Sequence, residues 1–301
     1  MKKGITKILS ACVFAFVVFL AAGTQSKAAV NMGVKQTGAG SSYVDLAWDA
    51  QLGAGHYHTQ FSQDGKNWID MDNSSSPSES VYNLTQGASY YARVVAYKGS
   101  HYTGTHVMIG VSETAIVSTK PTEVSGLTQT AAGVNSISMS WNASAGAASY
   151  VIYGYINYNW TQIGTSATNS ATITGVAATT STRFSVAAVK NVTGGTVTGD
   201  QCSGVEMKAI PIKVSRIAMQ YYWDSLKEAK YIWTDVNNAD GYQYEVKSAN
   251  GKKTYFRATS TNSYTYVKPF PRGIFVKARV RAYVTVGNKV YYGAWSPYTY
   301  H

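Results

Sequence analysis

The sequence predicts an all-β chain made of three tandem sandwiches. Three observations carry that prediction. First, a tryptophan precedes a tyrosine by nine residues three times: Trp48 and Tyr57, Trp141 and Tyr150, Trp233 and Tyr242. Second, apolar and polar residues alternate with period two around each pair, the signature of a strand with one buried face. Third, past the apolar N-terminal run no segment sustains a helical period.

The spacing of the pairs sets the repeat. The tryptophans lie 93 and 92 residues apart. Without gaps, VKQTGAGSSYVDLAWDA overlies LTQTAAGVNSISMSWNA with Gln, Thr, Ala, Gly, Trp and Ala in common. The third copy has diverged but keeps the Trp–Tyr spacing. Val44, Leu46 and Trp48 share one face, as do Ile137, Met139 and Trp141. A later strand alternates through Tyr90, Ala92, Val94 and Ala96, through Phe184, Val186 and Ala188, and through Val276, Ala278, Val280 and Ala282. Asp64-Gly65 and Asn250-Gly251 follow the tyrosine strand and suit hairpin turns with positive φ. KPTEVSGL around Pro121 and AIPIKV around Pro211 read as linkers. Seven strands per copy in two packed sheets are expected. The Trp–Tyr pair is then core, because large aromatics fill the space between sheets.

At these positions the chain resembles the fibronectin type III family. The carriers are the three strand-B tryptophans, the three strand-C tyrosines, and Leu84-Thr-Gln-Gly-Ala-Ser-Tyr90, which is similar to the family's tyrosine corner. Pro121-Thr-Glu-Val-Ser-Gly-Leu127 resembles a domain opening and Gly293-Ala-Trp295-Ser296 a last strand. The resemblance implies domains at 29–120, 121–211 and 212–301. It also implies that the Tyr90 hydroxyl ties the corner to backbone. Thr182 and Val276 occupy that corner position in the other copies, which puts the bond in doubt there. Spacer or binding roles are usual for such domains and catalysis is rare, although a fold alone does not fix a function.

Residues 1–28 read as a bacterial-type signal peptide. Lys2, Lys3 and Lys7 precede an apolar run from Ile8 to Ala22, short for a membrane span, and Ser26-Lys27-Ala28 fits a cleavage site. Leu9-Ser10-Ala11-Cys12 resembles a lipobox, but the apolar run continues past the cysteine. The rest of the chain has no apolar run long enough to span a membrane. A secreted protein is expected, released or held to a surface non-covalently. Cys202 is the one cysteine after the signal, so no intrachain disulfide forms.

The search for chemistry yields no catalytic set and implies no cofactor. No Gly-x-Ser-x-Gly, phosphate loop or Cys-x-x-Cys occurs, and Asp70 with Asp72 lacks a cleft. Four of the five histidines, His56, His58, His101 and His106, lie in the first copy. His56, His58 and His101 are a candidate zinc or copper set, weighed against polar residues exposed beside aromatics. Charge is the stronger signal. The first copy carries 5 basic and 7 acidic residues, the second 3 and 3, and the third 14 and 5. The third also holds 13 of the 24 tyrosines. Alternation in Val276 to Tyr283 places Lys277, Arg279, Arg281 and Tyr283 on one outer face, with Lys247 and Arg257 beside them. This stripe is the candidate site for an anionic polymer, such as a cell-wall glycopolymer or acidic glycan, with nucleic acid less favoured. Reversing Arg279 and Arg281 to Glu is expected to abolish binding and leave the domain folded. A non-enzymatic binding or adhesion protein is the leading reading. A structural spacer or self-associating matrix component is an alternative, and a metal-dependent protein using the histidines is another.

Overall fold

The computed structural model describes residues 29–99, 106–178, 181–271 and 273–301, so the expected signal peptide lies outside the described residues. Among the described residues the strands fall into three groups of eight. The first holds β1 (Lys35–Ala39), β2 (Val44–Ala47), β3 (His56–Ser62), β4 (Ile69–Ser74), β5 (Ser78–Val81), β6 (Ser89–Lys98), β7 (Val107–Val111) and β8 (Ala115–Ser118). The second holds β9 (Thr128–Gly133), β10 (Ser136–Ser140), β11 (Ser149–Ile156), β12 (Asn159–Ser166), β13 (Ser170–Thr174), β14 (Ser181–Val192), β15 (Gly195–Thr198) and β16 (Val205–Lys208). The third holds β17 (Ile217–Trp223), β18 (Glu228–Trp233), β19 (Gly241–Ser248), β20 (Thr254–Ser260), β21 (Tyr264–Val267), β22 (Val276–Val286), β23 (Lys289–Tyr292) and β24 (Thr299–Tyr300).

Each group packs a three-stranded sheet on a five-stranded one. In the first the sheets run β1-β2-β5 and β4-β3-β6-β7, with β8 also on β6. The other two repeat this order. The chain is therefore three tandem fibronectin type III-like β-sandwiches.

The expected count of seven strands needs one correction, because the last strand is broken in two in every copy. The break has a physical cause. Ser112 N–H donates to the Val94 carbonyl at 2.8 Å, and the Ser112 hydroxyl accepts from Val94 N–H at 2.8 Å. A side chain thus replaces a backbone carbonyl in the ladder, and the strand kinks there. Ser296 serves Val280 in the same way at 3.0 Å, and the Cys202 thiol serves Val186 at 3.2 Å. Cys202 is buried as part of this ladder.

The tryptophan and tyrosine of each pair meet between the sheets, with ring centroids 5.4, 5.3 and 5.4 Å apart in the three copies. All six residues are buried. The phenol also has a polar task. The hydroxyls of Tyr57, Tyr150 and Tyr242 accept backbone N–H bonds from Gln51, Ser144 and Val236 at 3.0, 3.0 and 2.8 Å. Each tyrosine so fastens the loop six residues upstream, which phenylalanine could not do. Among the described residues the three indole N–H groups find no acceptor. An unmet buried donor costs about 1–3 kcal/mol, so the indole is kept for its bulk. The tyrosine corner also forms, since Thr85 N–H donates to the Tyr90 hydroxyl at 3.0 Å. The two turn glycines, Gly65 and Gly251, have φ of +72° and +76°.

Neighbouring sandwiches touch through the hairpin that precedes the broken strand. Ile116 N–H donates to the Thr193 hydroxyl at 2.7 Å, and Lys120 pairs with Asp200 at 2.7 Å. Further along, Tyr291 donates to the Gln129 carbonyl at 3.3 Å, and Lys208 pairs with Asp240 at 3.3 Å.

Candidate ligand-binding faces of the third sandwich

Strand β22 alternates buried and half-buried residues along its length. Val276, Ala278, Val280 and Ala282 face the core, and Lys277, Arg279, Arg281 and Tyr283 project outward. The strand is internal to its sheet, between β19 and β23. Register places Glu245 of β19 opposite Arg279, Gln243 opposite Arg281 and Lys247 opposite Lys277.

This face is closed on itself. Glu245 is fully buried and pairs with Arg279 at 2.5 Å, Arg257 at 2.6 Å and Lys247 at 3.0 Å. Burial alone would raise its pKa, but hydrogen bonds from Arg257, Lys247 and Arg279 overcome burial and hold the carboxyl at about 2. Arg281 donates twice to the Gln243 side-chain oxygen, at 2.9 and 2.6 Å. Aromatic rings interleave with the cations. Arg281 lies 3.9 Å from the Tyr292 ring and 4.5 Å from Trp295. Arg279 lies 4.4 Å from Trp295 and 4.8 Å from Tyr298, and Lys277 lies 4.6 Å from Tyr298. Cations on ring faces gain electrostatic stabilisation without a counter-ion.

The structure therefore brings the predicted stripe together but engages most of it internally. Tyr283 sits beside Tyr292, centroids 5.8 Å apart. Arg257 is the most open of the cations on Glu245, with its side chain 53% exposed against 23% for Arg279 and 17% for Lys247. Lys252 and Lys253, after the Asn250-Gly251 turn, are exposed. Reversing Arg279 and Arg281 would set two new carboxylates beside buried Glu245, so that change perturbs the fold as well as the face. The sequence reading counted the cations of this face but not Tyr292, Trp295 and Tyr298, which separate them.

The opposite sheet carries a second feature that the sequence reading missed. On the outer face of β17-β18-β21 stand Tyr221, Trp223, Tyr264 and Tyr266 around Lys230. Register sets Lys230 between Tyr221 on one side and Tyr266 on the other. Its ammonium lies 5.5 Å from the Tyr221 ring, 5.0 Å from Tyr264 and 5.7 Å from Tyr266. Trp223 and Tyr266 are nearly parallel, at 18° and 6.3 Å between centroids. Trp223, Tyr264 and Tyr266 remain 38%, 40% and 46% exposed. The Tyr221 hydroxyl pKa is pushed up to about 12, by desolvation first and then by a hydrogen bond with Tyr266. Alternation along YYW and YTYV contained the signal, but a bulge between Met219 and Tyr221 shifts the register of β17.

The histidines of the first sandwich also converge. His56, His58 and His106 have ring centroids 5.4, 5.4 and 6.2 Å apart, and His56 stacks on Tyr97 at 5.2 Å and 9°. His56 is buried rather than exposed, and its Nδ1 lies 3.0 Å from the Gly99 carbonyl. The expected third member, His101, lies outside the described residues, and His106 is the one seen beside the pair. Among the described residues, no three His, Cys, Asp or Glu side chains are grouped so as to hold a metal ion.

No protein-family model matches the chain, and no curated protein matches it. Among solved structures the chain is similar to the crystal structure of the chicken CNTN1 FN1-FN3 domains, at 16% identity. That match covers 90% of this chain and 97% of the other, with a TM-score of 0.37. Among the described residues no helix is long and apolar enough to cross a membrane.

Proposed function

We propose that the chain is a non-enzymatic binding or adhesion protein that engages an anionic extracellular polymer through its third sandwich. One observation carries this reading: the third sandwich holds 14 basic residues against 5 acidic ones, while the first two are acidic or neutral. Glu245, the acid nearest the stripe, is buried and consumed by three of those cations. The exposed charge at that end of the sheet is positive, from Lys252, Lys253 and the open part of Arg257. Cations with low-dielectric aromatic walls behind them attract a polyanion strongly at low salt and weakly at high salt. Asp64 and Asp70 of the first sandwich have structural partners. Asp64 accepts bonds from Lys66 and Asn67 within its turn, and Asp70 accepts from Gln60 at 2.6 Å.

Lys252→Glu with Lys253→Glu tests the reading in the full chain, since neither residue touches Glu245. Retention on immobilised teichoic acid should fall steeply with salt for the unaltered chain, and the double variant should elute early at every salt concentration. Equal retention of both would sink this assignment. No retention of the unaltered chain on any polyanion would favour a spacer.

A further inference from the structure

The exposed aromatic face of β17-β18-β21 has no role in the fold that its neighbours share. The same face in the second sandwich is built from Ser136, Ser138, Ser170 and Thr172, with Ser138 bonded to Thr172 at 2.9 Å. In the first it carries Asp45 bonded to Ser80 at 2.6 Å, with a tyrosine pair, Tyr43 and Tyr82, at one end, ring centroids 5.6 Å apart and, among the described residues, without a cation among them. In the second sandwich small polar residues thus suffice for this sheet. In the third, the inward positions alone supply the core, through Ala229, Tyr231, Trp233 and Val267. The outward tyrosines and tryptophan are additional, and large rings left in water are costly unless a partner covers them.

From this contrast we propose that the outer face of β17-β18-β21 is a sugar-binding platform for an acidic polysaccharide, with Trp223 and Tyr266 stacking on pyranose rings and Lys230 receiving a carboxylate. The proposal rests on the polymer-binding reading, narrows its ligand class and adds a second face to the cationic one on the five-stranded sheet. Near-parallel, half-exposed rings on a flat sheet match the apolar C–H faces of a hexopyranose chain, as they match any flat ligand surface. Charge distinguishes the ligands. A single-stranded nucleic acid needs a row of cations along its phosphates. Among the described residues Lys230 is the ammonium that stands amid the rings, and Lys268 lies 3.9 Å from Glu228 and is paired with it. One central cation among stacking surfaces fits a sugar carboxylate set on a pyranose ring. Glu228, half-buried beside Trp223, offers an acceptor for sugar hydroxyls.

Affinity electrophoresis of the full chain through gels containing alginate, a neutral β-glucan or neither provides the test, with poly(dT) as a soluble competitor. Alginate should retard the unaltered chain. Trp223→Ala and Tyr266→Ala should each weaken that retardation by about tenfold, the scale of one lost stacking contact. Lys230→Met should remove the preference for alginate over the neutral glucan and leave residual retardation by both. Unchanged thermal unfolding of each variant would show that the face, and not the fold, was altered. If both ring variants migrate like the unaltered chain, the platform is refuted. In that case a loss of retardation in Lys252→Glu with Lys253→Glu would still uphold polymer binding at the other sheet. If the unaltered chain is retarded by no polyanion, the polymer reading falls along with the platform. If poly(dT) displaces the chain from alginate and its own binding is lost in Trp223→Ala, the ligand class is nucleic acid and the proposal is overturned.

Discussion

Glu245→Gln tests how the third sandwich holds its charge. Glutamine is nearly the shape of a protonated glutamate, so the change removes charge and little else. In the native protein the carboxyl is held at about 2 against an ordinary 4.5, despite burial, because Arg257, Lys247 and Arg279 surround it. That gap corresponds to about 3 kcal/mol in favour of the charged form. The variant should therefore lose about 3 kcal/mol near neutral pH, within the range for breaking a buried charge cluster. A carboxyl whose folded pKa is depressed stabilises the fold above its unfolded pKa and loses that contribution as pH falls through the folded one. The difference should thus shrink as pH drops from 4.5 toward 2 and vanish below it. Calorimetry of the full chain reads both effects. One of three transitions should fall by roughly 10 °C or more, given about 4–8 °C per kcal/mol for a domain of this size. The other two should not move. A loss under about 1 kcal/mol at neutral pH would refute the buried cluster as a stabilising unit. So would an equal loss at pH values above and below the titration.

Two further predictions concern the second sandwich. Cys202→Ser should leave its denaturation midpoint nearly unchanged, because serine fills the matching position in the other copies. Cys202→Ala should cost about 1–3 kcal/mol by stranding Val186 N–H, and equal midpoints for the two variants would show that the side-chain bond is idle. Trp141→Ala should cost about 3–5 kcal/mol, whereas Tyr150→Phe should cost only about 1 kcal/mol for the lost bond to Ser144; a Tyr150→Phe loss as large as that of Trp141→Ala would contradict this division between bulk and hydrogen bond.

Repetition made most of the fold legible. Three Trp–Tyr pairs and three alternating strands report the same buried faces, and the burial of Val94, Val186 and Val280 follows from their place in that pattern. The split of the last strand was not legible, because it depends on one side chain standing in for a carbonyl across the sheet. Ser112 and Ser296 share only their residue type and Cys202 not even that, yet all three make the same bond.

The outer face of β22 shows the limit more sharply. Period two determined which residues project outward, and they do. It did not determine what they meet there. Register against β19 brought Glu245 among three cations, and the broken last strand laid Trp295 and Tyr298 over one of them, Arg279. Likewise the sequence counted the tyrosines of the third copy, but only sheet order gathered Tyr221, Tyr264 and Tyr266 around Lys230. The physical reason is common to both faces. Which way a strand residue points is a local property, set by the pleat. Its neighbour across the sheet comes from a distant part of the chain, so charge pairing and ring contact are decided only when the strands assemble.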